Sequence, residues 1–591
     1  MSAPTSGRLT QSLSIQANVS YDLLSQTLAD GVFAPVLVGS GKFAKVYKAW
    51  QRSARRNVRP VAVKVLHDHA TLSDERLFKQ EIDLLKELTT VRSVNVIRTL
   101  DIVRVPPLAM CGCGVVYHPL CPRGCGQLLQ RIERIEHNHP LLSCSRCGYE
   151  LSAEDVEQRG TELLRPPAKN CCQGPKAQRG TLIHFVDREV VVMELIEHGL
   201  SDFALLQKQA TLHTTHTKSS ENIPLHSQTG TLSRSSLVLS DASEERFLQK
   251  ALLCEKLHLM VQLAESLAWL HGERRIIHKD LAPDNVMVVA PADTDGTSDW
   301  RGEMQVESHE RLLQIAACPR FSIKVIDFGL ADKDELTRSW YEEQDVVAAA
   351  FKLPYTSPEA RRRKERVSEP IQFVPGGACF VVPPSLFSSH LSLLPGDLLV
   401  DTQDTSHDHD LEIVRIEPTQ SGVLAHVRGE PPPAPESCKF EVIRRLGEAH
   451  DVYALGALFY FVLTGKHEEV DRLGSLVNLL QEADRRDLVL RSLKNDQYFR
   501  ARRDAIPEPF FRDELVMLCL RAMVRGRPQS LVSHRTDRGP EAAQMLLRET
   551  RALYREVLQD VMSEPLRKRV QQGFLLAVPS ALALLFLLRS C

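Results

Sequence analysis

The stretch IIHKDLAPDNVMVV, residues 276–289, and the stretch FSIKVIDFGLAD, residues 321–332, decide how this chain reads. The first is a polar turn between short apolar runs; the second is an apolar strand that breaks at Asp327-Phe328-Gly329. They set Asp280, Asn285 and Asp327 on turns. Neither stretch is decisive alone, because an aspartate five residues before an asparagine and an Asp-Phe-Gly turn both arise by chance. Their weight comes from what stands upstream, and in what order.

Upstream, Val36 to Leu66 alternates as strand, glycine turn, strand and a further strand ending in VAVKVL. In GSGKFAKV (Gly39 to Val46) the glycines let backbone N–H groups approach an anion closely, although Gly39 and Gly41 would also serve a plain hairpin turn. Lys64 lies among apolar neighbours, where an unpaired charge is costly, so it needs a counter-ion. The following segment, DERLFKQEIDLLKEL (Asp74 to Leu88), has helical periodicity, with Leu77, Ile82, Leu84, Leu85 and Leu88 on one broad face. It offers Glu81 as the natural partner and Glu75 as the weaker one.

Taken in order, these runs resemble the eukaryotic-type serine/threonine protein kinase family, from Val36 to about Pro528 with insertions between. The resemblance implies an α+β, bilobal protein kinase fold that uses ATP and Mg²⁺ and acts on a protein substrate. By the same resemblance Val38, Gly39, Ser40, Gly41, Lys42, Phe43, Ala44, Lys45 and Val46 would cover the ATP phosphates. Lys64 would contact the α- and β-phosphates while paired with Glu81. Met193, Glu194 and Ile196 would line the adenine at the hinge. Asp280 would accept the proton of the substrate hydroxyl, and Asn285 and Asp327 would hold Mg²⁺. Three structural markers agree: Ser357-Pro358-Glu359 resembles the close of an activation segment, Asp451 a helix aspartate that braces the catalytic loop, and Arg527 a partner for Glu359.

The family pattern is broken in places. Ala44 replaces the third loop glycine. Ala282 stands where serine/threonine kinases usually carry a lysine, and Lys352 where they usually carry a threonine. Lys352 either supplies the missing charge near the γ-phosphate or is an exposed lysine on a loop. The four catalytic residues favour an active enzyme over the alternative, a pseudokinase scaffold whose insertions bind partners.

The remaining chain divides around this frame. Residues 1–30 read as a flexible lead-in, 31–106 and 181–200 as the small lobe, and 107–180 as a cysteine-rich insertion. The large lobe takes 201–360 and 450–565, with a Ser-, Thr- and His-rich loop near 208–243, and 361–449 reads as an inserted β-module of short strands. Eight of the 14 cysteines fall between Cys111 and Cys172. With no secretory signal at the N-terminus, such clustering points to metal rather than to disulfides. Cys121 and Cys125, then Cys144 and Cys147, form two pairs suited to a structural Zn²⁺ in a zinc-ribbon-like module. Cys111, Cys113, Cys171, Cys172, His118, His137 and His139 are further candidate ligands.

Charge is balanced, 73 basic against 75 acidic residues, so no global field recruits nucleic acid and none is expected as a partner. Residues 574–588 carry no charge and are apolar on every helical face. As a helix they would span about 23 Å, a little short of a hydrocarbon core. The expectation is a single-pass membrane anchor at 573–589 with the catalytic domain on the cytoplasmic side; a buried terminal helix is the other reading. The zinc and β insertions are the expected places for a protein partner.

Overall fold

The computed structural model describes residues 19–27, 33–41, 43–53, 58–67, 70–90, 95–105, 108–111, 116–117, 121, 123, 127, 129–132, 141–152, 182–185, 188–196, 198–202, 242–289, 321–333, 353–356, 364–366, 371–374, 379–382, 397–401, 411–419, 422–429, 439–443, 447–467, 497–507, 510–525 and 542–563. They fall into two compact units. The first runs to Glu197 and takes in Ile326–Ala331 on the return of the chain; the second begins at His198.

The first unit is built on a six-stranded antiparallel sheet. Its strands are β1 (Val19–Leu23), β2 (Leu37–Ser40), β3 (Ala44–Ser53), β4 (Val58–Leu66), β5 (Thr99–Val105) and β6 (Arg188–Glu194). They pair in the order β1-β3-β4-β6-β5, with β2 beside β3. Alternation along β4 sends Val61, Val63 and Val65 into a core with Tyr47, Ala49, Val103, Val190 and Val192. The same alternation turns Lys64 to the opposite face. Helix α1 (Leu72–Thr90) opens with Thr71 and Asp74 capping each other, the Thr71 N–H donating to the Asp74 carboxylate and the Asp74 N–H to Thr71 Oγ1.

Of the flexible lead-in expected over residues 1–30, only 19–27 are described, and there the expectation gives way to β1. Val19–Leu23 pairs with Ala49–Ser53, burying Tyr21 and Leu23 in the sheet core. The Tyr21 hydroxyl donates to Asp101 Oδ2 at 2.7 Å and accepts from Gln51 Nε2 at 3.0 Å. This strand is short, and its partner lies about thirty residues away, so local pattern does not reveal it.

The cysteine-rich insertion leaves the sheet between β5 and β6 along a paired arm. Arg188 opposes Val105 in the sheet, and beyond it Leu182–Phe185 pairs with Leu108–Cys111. Within the insertion Gln130–Ile132, Leu141–Ser143 and Glu150–Ser152 form a three-stranded antiparallel sheet.

The second unit is mainly helical: α2 (Ala242–Trp269), α3 (Glu448–Thr464), α4 (Gln497–Ala505), α5 (Arg512–Arg525) and a helix over 542–563. Helix α3 is buried on every side from His450 to Leu463, as its nearly unbroken apolar sequence requires. Its Gly456 allows α5 to come close, because a Cβ there would lie 2.8 Å from Cys519 O. Helix α2 ends in a turn, Leu270–Arg274, which delivers the chain to Ile276. Val286–Val289 pairs with Ser322–Val325, so the turns carrying Asp280 and Asn285 hang from a short hairpin.

Between residues 364 and 443 the same unit contains a seven-stranded antiparallel sheet. Its spatial order is Lys364–Arg366, Phe440–Ile443, Leu398–Asp401, Leu411–Thr419, Gly422–Arg428, Cys379–Val382 and Gln372–Phe373. Ile371, Phe380, Leu399, Leu411, Ile413 and Val442 are completely buried in its core or nearly so. The first and last strands of this module pair with each other, Lys364 opposite Ile443, so it is rooted at one point in the chain.

Among the described residues no helix is long and apolar enough to cross a membrane. The expected anchor, 573–589, lies outside them.

Candidate active site

In the first unit one ammonium group gathers two carboxylates. Lys64 Nζ donates to Glu81 Oε1 at 2.6 Å and to Asp327 Oδ1 at 2.7 Å. Glu81, not Glu75, is the partner on α1. Burial alone would favour the neutral amine, but the charges of Asp327 and Glu81 outweigh it and raise Lys64 above its ordinary pKa. The lysine is therefore fully charged at neutral pH. Glu81 also accepts the backbone N–H of Phe328, and Gln80 Nε2 donates to Ala331 O at 3.2 Å. Phe328 is completely buried. These contacts fix the Asp-Phe-Gly segment onto α1 and hold Asp327 at φ 62°, a left-handed conformation rare for residues other than glycine. Such strain persists where the surroundings enforce it.

The glycine turn is a hairpin between β2 and β3, with Gly39 opposite Val46 and Ser40 opposite Lys45. The Gly41 N–H donates to Ala44 O at 2.9 Å, and Gly41 O is bonded to His67 Nε2 at 2.9 Å. Ala44 is buried, which suits its small side chain in place of glycine. At the end of β6, the register shifts between Val192 and Met193. The Glu194 N–H donates to Arg98 O, and Glu194 Oε1 accepts the Arg98 N–H at 2.8 Å. Leu195 and Ile196 then leave the sheet.

In the second unit, Asn285 Nδ2 donates both to Asp280 O and to Asp280 Oδ2, each at 2.7 Å. The whole turn is braced from α3. Asp451 accepts the N–H of His278 at 2.7 Å, the N–H of Lys279 at 2.8 Å and Nε2 of His271 at 2.9 Å. Burial pushes the Asp451 carboxyl up, but the His271 hydrogen bond and the charges of His271, His278 and His450 prevail, so its pKa is lowered. Lys279 takes φ 66°, and His450 Nε2 bonds to its carbonyl. Ala282 is completely buried, so no cation reaches out from that position.

The third cluster lies in the insertion. The sulfurs of Cys121, Cys144 and Cys147 all lie within 4.8 Å of one another. Backbone N–H of Cys147 chiefly, with that of Arg146 and the thiols of Cys147 and Cys121, lowers the Cys144 thiol to about 7 despite its burial. Cys125 lies outside the described residues, as do Lys42, Lys352, Ser357, Glu359, Arg527, Cys113, Cys171, Cys172, His118, His137 and His139.

Three histidines escaped the sequence reading. His271 and His450 hold the Asp451 brace, and His67 holds the glycine turn. A lone histidine has no spacing signal; only its burial at the end of a predicted element marks it.

A family model for protein tyrosine and serine/threonine kinases matches residues 35–117 and 180–369. The match supports a protein kinase domain in this chain, and the mixed α and β content fits the bilobal kinase fold. It skips residues 118–179, most of the cysteine-rich insertion, and ends after the first strand of the inserted sheet. No curated protein matches the chain.

Proposed function

We propose that this protein transfers the γ-phosphate of ATP to a serine or threonine hydroxyl of a protein substrate. The observation that carries the reading is the Lys64–Glu81–Asp327 cluster: an ammonium kept charged and aimed by two carboxylates, beside a glycine hairpin of the same unit. Phosphoryl transfer needs positioning and charge neutralisation more than covalent chemistry.

In this reading Lys64 holds the α- and β-phosphates, oriented by Glu81. The residues from Val38 to Val46 cover them with backbone N–H groups, and Met193, Glu194 and Ile196 face the adenine. Asp280 takes the hydroxyl proton, and Asn285 Nδ2 fixes its carboxylate. Asp327 and Asn285 fit Mg²⁺. The Asp327 side chain is 41% exposed, and the Asn285 amide nitrogen donates to Asp280, so a carboxylate oxygen of the first and the side-chain carbonyl oxygen of the second would be the donors to Mg²⁺. Mg²⁺, when bound, neutralises charge on the phosphate oxygens. Zn²⁺ belongs to the insertion and not to this chemistry. The apolar run 574–588, preceded by Arg567, Lys568 and Arg569, supports a C-terminal membrane anchor with the catalytic domain on the cytoplasmic side.

The test is transfer from labelled ATP by the full chain, to itself and to an added protein, beside Asp280→Ala. Losing the general base should cost about 10²–10⁴-fold. Absence of transfer from the intact protein with either Mg²⁺ or Mn²⁺ would assign the chain to the scaffold reading, for which the buried Ala282 speaks.

A further inference from the structure

We propose that Cys121, Cys144 and Cys147 bind one Zn²⁺ as thiolates, and that this metal is the tertiary staple of the cysteine-rich insertion. The inference deepens the cofactor reading above. Its failure shows in metal content and the failure of phosphoryl transfer shows in labelled phosphate, so the two are told apart.

Three observations converge. First, the sulfurs are spaced for a shared metal. Cys121 Sγ and Cys147 Sγ are 3.5 Å apart, and all three lie within 4.8 Å. Tetrahedral thiolates on zinc at about 2.3 Å would stand about 3.8 Å apart. A disulfide would need about 2.05 Å and would leave the third sulfur idle.

Second, backbone turns aim the sulfurs. The Cys144 N–H donates to Tyr149 O at 2.8 Å, and the Gly148 N–H donates to Cys144 O at 2.9 Å. Gly148 sits at φ +67°, where a side chain would be strained. On the other turn the Cys121 N–H donates to Gln127 O at 2.9 Å. Each cysteine thus lies where the chain doubles back, and the Arg123 guanidinium lies 5.3 Å from the Tyr149 ring centroid, linking the two turns.

Third, the core found among the described residues of the insertion is small. Its buried cluster is Leu129, Leu142 and Leu151 with Cys121 and Cys144 themselves. A metal that joins two turns adds to so small a core. The three donors are all thiolates, the donor type of structural zinc centres.

The experiment uses the full chain purified without added metal or chelator. Metal analysis should find about one zinc per chain. Replacement by Co²⁺ should give intense thiolate-to-cobalt charge-transfer absorption. The double variant Cys144→Ser, Cys147→Ser should lose both signals, whereas Cys379→Ser, in the inserted β-sheet, should keep both. Chelation should open protease cleavage within residues 121–152 and leave residues 364–443 intact. A wild-type chain with no zinc and no thiolate–cobalt band overturns the proposal, and so does a double variant that keeps the metal.

Discussion

The Lys64 cluster of the first unit and the Asp451 brace of the second hold their carboxylates by different means. Around Lys64 the partner is a full opposite charge, and one carboxylate, Asp327, remains partly exposed. Around Asp451 the partners are two backbone N–H groups and an imidazole, and the carboxylate is completely closed off. The open cluster can exchange a contact for a ligand. The closed one cannot touch a substrate, so it acts through the shape of the turn that carries Asp280. Charge pairs serve the first task because they act at a distance and survive exchange of partner; directed hydrogen bonds serve the second because they specify geometry.

This contrast can be broken most forcefully at Asp451. Asp451→Ala leaves two backbone donors and His271 unpaired in a dry interior, which should cost about 3–5 kcal/mol of stability in thermal or urea unfolding. The pH dependence sharpens the point. The folded-state pKa of Asp451 lies below its ordinary value, so its stabilisation is present above about pH 4 and is lost as the pH falls through the folded value. The stability gap between wild type and variant should therefore shrink below about pH 4. A gap that is constant from pH 7 to pH 3 would mean the carboxylate charge is not what holds the turn.

At the open cluster the expected effect moves from stability to turnover. Lys64→Met should lower phosphoryl transfer about 10²–10³-fold, comparable to removing one charge-stabilising donor. Transfer at the wild-type rate would remove Lys64 from the chemistry and end the contrast. The smallest effect is expected at Gly329→Ala. A Cβ there would meet Asp327 Oδ1 at 3.3 Å, so the carboxylate must shift by a few tenths of an ångström. Transfer should fall by less than about tenfold, since misplacement of a full ångström is what costs about 10²-fold.

The candidate residues were singled out without coordinates. Lys64, Asp280, Asn285 and Asp327 stand out because each lies in a short run whose residue types and order match the family pattern. The inserted sheet was also foreshadowed, by strand-like runs separated by Pro and Gly between Val374 and Gly429. The histidines were not legible. His271 and Asp451 are 180 residues apart, and nothing local to either predicts a 2.9 Å contact. Strand β1 was missed for a related reason: Val19–Leu23 gains its burial only by pairing with Ala49–Ser53.

The sequence by itself determined which chemical groups are present, their order, and that Lys64 needs an acidic partner. Only the tertiary structure chose between Glu75 and Glu81. Both lie on α1, but six residues at about 100° each put them about 120° apart around the helix, so a single face can meet β4. Propensity and periodicity define a helix face without saying what it will meet. Packing against the sheet made that choice, bringing Glu81, 17 residues from Lys64, and Asp327, 263 residues from Lys64, to the same ammonium group.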